Sequence, residues 1–171
     1  MKTGIDIAIK GGIATITINR PKQRNALDLA SADTLKETVH AIDANDKVHA
    51  VVLTGAGGVF CAGADLGEIA DKGAIYQPWA GADGPLARPC TKPVIAAVEG
   101  MCVGGGFEIA LSCDLILATA ASSFALPEIR AGTLADAATI KLPKRIPYHV
   151  AMDLLLTGRW MDCAEANKWG L

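Results

Sequence analysis

Two acidic side chains stand out by their surroundings. Glu108 falls in the first helical turn after Gly104-Gly105-Gly106, and Glu128 follows Leu126-Pro127 in an otherwise apolar stretch. Desolvation penalises a carboxylate in apolar surroundings. Such a site raises the pKa toward neutrality, where a carboxyl can both give and take a proton. Each residue also has a plainer explanation. Glu108 would complement the dipole at a helix N-terminus, and Glu128 would be an exposed carboxylate after a proline.

Two glycine-rich connections accompany the acids. One runs Gly55-Ala56-Gly57-Gly58-Val59-Phe60-Cys61-Ala62-Gly63-Ala64-Asp65, the other Glu99-Gly100-Met101-Cys102-Val103-Gly104-Gly105-Gly106. Small residues let a ligand reach bare backbone N–H groups, and a helix opening at Gly104 to Gly106 aims free N–H groups at it. One N–H from each connection, directed at one carbonyl oxygen, makes an oxyanion hole. The alternative is that the glycines only permit tight turns and close helix packing. The first connection is not a dinucleotide fingerprint, because Phe60 holds the last glycine position. It is not a phosphate loop either, since it lacks the Gly-Lys-Ser/Thr ending.

These residues need elements to position them. Ile5 to Ile9 and Ile13 to Ile18 alternate around Lys10-Gly11-Gly12 and predict a hairpin. Leu35, Val39 and Ile42 sit at helical spacing, so residues 29–45 read as an amphipathic helix. Apolar runs at 48–53, 93–98 and 115–118 read as buried strands, with a short fourth at 123–126. Residues 67–91 are broken by Gly, Pro and Asp and predict short helical pieces and loop. Helices are expected at 104–111, 135–144, 147–156 (with Pro147 at its first position) and 164–169. Lys141, Lys144 and Arg145 read as a solvated helix face. Strands alternating with helices from residue 29 onward imply crossovers and parallel pairing, hence an α/β fold in one domain over 1–171.

Bulk properties exclude several classes. The 171 residues are 51% hydrophobic and 20% charged with net charge -2, which offers no electrostatic footprint for nucleic acid and no polybasic anchor. No apolar stretch reaches transmembrane length, and no signal-like segment follows Met1, so a soluble cytoplasmic protein is the expectation. Five cysteines without a short-spaced pair read as buried hydrophobes, and three scattered histidines give no metal site.

Taken in order, Phe60-Cys61-Ala62-Gly63-Ala64-Asp65-Leu66, Lys92 to Gly100, Gly104-Gly105-Gly106-Phe107-Glu108 and Phe124-Ala125-Leu126-Pro127-Glu128 strongly resemble the crotonase (enoyl-CoA hydratase/isomerase) superfamily. Asn19-Arg20-Pro21, Arg24-Asn25-Ala26-Leu27 and Leu156-Thr157-Gly158-Arg159 are similar to it too. The motifs closest in type are those of carnitinyl-CoA dehydratase-like members. The resemblance implies a right-handed spiral of strand–strand–helix units. It implies oxyanion-hole amides at Ala64 and Gly105. It implies two hydratase carboxylates, Glu108 positioning and deprotonating water and Glu128 protonating the α-carbon. Acyl-CoA contacts would fall at Arg24, Ala26, Ala62, Asp65, Leu66 and Gly104, with coenzyme A as part of the substrate and no other cofactor. A full-length relative would carry a further C-terminal helical region, absent from this chain, for trimer or dimer-of-trimers assembly.

Departures from the pattern matter as well. Gly67 stands where relatives often place a CoA-binding Lys, which makes Arg24 the candidate for phosphate contact. Gly132 to Ala138 is one residue shorter than the usual glycine-rich helix start, so the acyl pocket is expected to differ. Trp79 is a candidate pocket residue. Asp136, eight residues after Glu128, is either a helix N-terminal Asp or a third carboxylate, as in a dienoyl-CoA isomerase. Hydration or dehydration of an enoyl-CoA is the leading expectation. Double-bond isomerisation through Glu128 and Asp136, and CoA binding without turnover, are the alternatives.

Overall fold

The β-branched runs Ile5–Lys10 (β1) and Ile13–Ile18 (β2) pair antiparallel through Gly11-Gly12. Both glycines have positive φ (59° and 79°), the geometry that a two-residue hairpin turn requires. The computed structural model describes residues 4–72 and 90–171. After the hairpin, helix α1 (Leu29–Asp43) is capped by Asp28, whose side chain accepts from Ser31 N at 2.8 Å. Strand β3 (Ala50–Gly55) follows, then helix α2 (Leu66–Lys72).

The next two passes of chain repeat one pattern. β4 (Val94–Val98), β5 (Met101–Val103) and α3 (Gly105–Ser112) form the first. β6 (Leu115–Ala118), β7 (Ser123–Ala125), a 3-10 turn at Pro127–Ala131 and α4 (Asp136–Lys141) form the second. A 3-10 turn at Leu142–Lys144, α5 (Tyr148–Thr157), β8 (Trp160–Asp162) and α6 (Cys163–Trp169) complete the chain. Each pass lays one strand in a five-stranded sheet, β1-β2-β3-β4-β6, and one in a three-stranded sheet, β5-β7-β8. From β2 onward the large sheet is parallel, in register Ile16–Leu53–Ala96–Ile116. The small sheet aligns Cys102, Phe124 and Met161, and a single parallel bridge adds Cys61 beside Cys102. All four are buried in the one hydrophobic core, where Phe107 packs on Phe124 with ring centroids 5.1 Å apart.

The structure corrects several expectations. Strand β6 is not buried: Leu115 and Leu117 are 58% and 64% exposed. It is the edge of the large sheet, and an all-apolar run does not tell an edge from a centre. β5 lies inside what reads as a glycine-rich connection, and β8 between two expected helices, because three-residue strands leave no periodic signal. β3 starts at Ala50 rather than Val48. The helix expected over 135–144 breaks after Lys141 into a 3-10 turn, where Pro143 supplies no N–H. Pro147 precedes α5 rather than opening it. Of the segment read as 67–91, α2 supplies the helical piece; residues 73–89, with Tyr76 and Trp79, lie outside the described residues. Among the described residues no helix is long and apolar enough to cross a membrane.

Candidate active site

The Cys61–Cys102 bridge sets the site. It fixes the two glycine-rich connections side by side and in parallel, with Val103 N donating to Cys61 O at 3.0 Å. Three residues past each member lie Ala64 and Gly105, and both line one cavity. Gly63 makes the approach possible. With φ of 89°, it sits so close that a Cβ there would lie 3.0 Å from Gly105 N. Among the described residues neither the Ala64 nor the Gly105 amide donates a hydrogen bond. Gly105 N is free because it opens α3.

Ala64 and Gly105 both line a cavity of about 700 Å³ whose lining is mostly apolar. Ala62, Ala64 and Leu66 come from the first connection and the start of α2, Gly104 and Gly105 from the second. Leu66, 73% exposed, stands at its surface. Glu108 enters from α3, Glu128 from the 3-10 turn after β7, and Asp136 from the first position of α4.

Glu108 is 1% exposed. Burial pushes its carboxyl up, the amides of Ala138 and Ala137 pull it partly back, and the nearby Asp136 charge adds to the rise. Glu128 Oε2 is buried without a hydrogen-bond partner among the described residues. Burial, reinforced by the Glu108 charge, raises this carboxyl to about 7. The cavity therefore holds two carboxyls that stay protonated at higher pH than ordinary ones, next to two unused amide donors.

Three sequence candidates stand elsewhere. Asp65 caps α2, accepting from Gly67 N at 3.1 Å and Glu68 N at 3.3 Å, and pairs with Arg20 at 3.1 Å. Ala26 is buried and its carbonyl accepts from Arg20 Nη1. Arg24 is exposed, and its carbonyl accepts from Ala62 N at 3.1 Å. Arg24 and Asn25 both have left-handed φ (52° and 57°), a cost that the Asn25 side chain offsets. Asn25 is 0% exposed, accepts from Arg20 N at 2.9 Å, and donates to Ala56 O at 2.9 Å and Val59 O at 2.6 Å.

Sequence reasoning missed Lys141. It is partly buried, with Nζ donating to Ser112 Oγ, while Lys144 and Arg145 are exposed as expected. Spacing carried the signal: Lys141 lies three and four residues past the buried Ala138 and Ala137, on the same face.

Residues 8–171 match the model of the enoyl-CoA hydratase/isomerase family. The chain belongs to that family. It is 40% identical over 172 residues to a mevalonyl-coenzyme A hydratase of Beauveria bassiana (strain ARSEF 2860), covering 93% of this chain and 61% of that one. It is 36% identical over 177 residues to a carnitinyl-CoA dehydratase of Proteus mirabilis (strain HI4320), covering 100% and 67%. The structure of a carnitinyl-CoA dehydratase from Mycobacterium avium 104 superposes with a TM-score of 0.90 at 41% identity, over 98% of this chain and 67% of that one. The chain thus spans 61% to 67% of the length of these relatives. The fold expected from the resemblance, a crotonase-type α/β spiral, is the one observed. Within the family, the likeness to carnitinyl-CoA dehydratases read from the motifs returns in these comparisons.

Proposed function

We propose that the protein interconverts a 2-enoyl-CoA and a 3-hydroxyacyl-CoA, using Glu108 and Glu128 as an acid–base pair. The observation that carries this is the buried carboxyl oxygen of Glu128, unpartnered among the described residues, in one cavity with Glu108, Ala64 and Gly105. A buried polar atom without a partner costs stability, and a substrate that supplies the partner repays it.

In the hydration direction the thioester oxygen accepts from the two amides. Ionised Glu108 takes a proton from water, and the water oxygen bonds to the β-carbon. The C=C electrons move toward the thioester, and the negative charge on its oxygen is held by the amides, a contribution of several kcal/mol in such sites. Protonated Glu128 then delivers its proton to the α-carbon. One proton passed back from Glu108 to Glu128 restores the starting state. The chemistry needs no cofactor besides the coenzyme A of the substrate. Arg24, on the segment that holds Ala62, is the proposed contact for a CoA phosphate, and trimer assembly belongs to the same proposal.

Loss of the enoyl thioester chromophore on crotonyl-CoA tests this. Glu108→Gln and Glu128→Gln should each reduce kcat by roughly 10²–10⁴-fold. Wild-type rates in both variants would refute the assignment. Because Asp136 lines the same cavity, double-bond isomerisation is the second reading. It wins if a dienoyl-CoA turns over, crotonyl-CoA does not, and Asp136→Asn abolishes the reaction.

A further inference from the structure

Lys141 ends α4 with its side chain partly buried, and no ion pair among the described residues includes it. Burying an ammonium without a counter-ion is unfavourable, so the position needs a compensating contact. The contact is a chain of hydrogen bonds. Lys141 Nζ donates to Ser112 Oγ, and Ser112 Oγ donates to the Glu108 carbonyl at 2.7 Å. Three residues before Lys141, Ala138 N donates to Glu108 Oε1 at 3.0 Å. Two links therefore join α3 and α4, one at the main chain of Glu108 and one at its carboxylate.

We propose that Lys141 is a positioning residue for Glu108: its ammonium ties α4 to α3 through Ser112, which keeps the Ala138 amide on the carboxylate. This rests on reading Glu108 as the base. The groups facing Glu108 are Asp136 and Lys141 from α4 and Glu128 from the turn after β7. The Asp136 charge opposes ionisation of Glu108, and Lys141 is the cation set against it. Lys141 itself faces Arg145 and Cys113 besides Glu108, and Arg145 Nη2 donates to Cys113 O at 3.4 Å. Burial, with the Arg145 charge, lowers the Lys141 pKa, while Glu108 raises it back.

The test is kcat/KM against pH for crotonyl-CoA hydration by the whole chain. Lys141→Met should move the acid limb up by about one pH unit. It should lower kcat at neutral pH several-fold and leave KM within about twofold, with Lys141→Arg restoring the limb. A folded Lys141→Met with the wild-type acid limb overturns the proposal. Should Lys141→Met fail to fold, Ser112→Ala carries the test. A several-fold fall in kcat at unchanged KM supports the link, and an unchanged kcat overturns it. Glu108→Gln, measured alongside, separates the two levels: wild-type activity there overturns the reading of Glu108 itself.

Discussion

Glu108 Oε1 accepts the N–H of Ala138 at 3.0 Å, so a carboxylate from one helix satisfies the start of another that has no side-chain cap of its own. That bond favours the ionised form of Glu108 against its burial. Glu128, lacking such a partner for Oε2, is raised to about 7. In the proposed mechanism the pair serves as a base and an acid, and its two macroscopic pKa values belong to the couple. For hydration we expect a bell-shaped kcat/KM profile. It falls above about pH 7 as Glu128 loses its proton, and it falls on the acid side at a pH above the ordinary carboxyl range. Stopped-flow absorbance from pH 4 to 9 measures it, and a rate rising through pH 8 would contradict the assignment.

The same shift predicts a stability change. A carboxyl whose folded pKa lies above its unfolded one favours the fold at low pH and loses that contribution as pH rises through the folded value, here from 4.5 to about 7. Glu128→Gln removes the buried charge. At pH 8 it should stabilise the protein by about 1 kcal/mol after allowance for solvent screening, which is about 2–4 °C in Tm. At pH 4 the gain should vanish. Calorimetry at the two values decides it.

Gly104 has φ 56° and ψ -129°, and a Cβ there would lie 3.0 Å from Glu128 Oε1. Gly104→Ala should cost about 1–3 kcal/mol in backbone strain. It should also displace Glu128, so that kcat falls at least about tenfold, more than the stability loss accounts for. An alanine variant with wild-type turnover would show that Glu128 needs no fixed place.

Arg24→Ala should raise KM for crotonyl-CoA roughly fivefold, equivalent to about 1 kcal/mol, with kcat unchanged. Because the side chain is exposed, the effect should shrink in high salt. An unchanged KM at low salt would move the phosphate contact to another residue.

The parts legible in the sequence were those with a period or a motif. The hairpin, α1, the strands at Ala50–Gly55 and Val94–Val98, and the location of Glu108 after a triple glycine follow from spacing and residue type. Of the small sheet only β7 was legible, as the short strand expected at 123–126; its three-residue pairings and the isolated bridge of Cys61 with Cys102 follow from no local pattern. That sheet gathers Ala64, Gly105 and Glu128 into one cavity, so the site's chemistry could be named before its geometry could be built. Asp65, placed among the acyl-CoA contacts by the resemblance, has its oxygens engaged by the α2 amides and Arg20, a partnership that no local pattern announces.

Gly63 touches the Gly105 amide through its backbone alone. The placing of the two amides is thus written into main-chain contact, while other parts of the cavity are walled by exchangeable side chains such as Leu66, Ile69 and Leu134. Drift at those wall positions can reshape what enters without loosening the proposed grip on a thioester. One methyl group at position 63 would disturb that grip whatever the substrate.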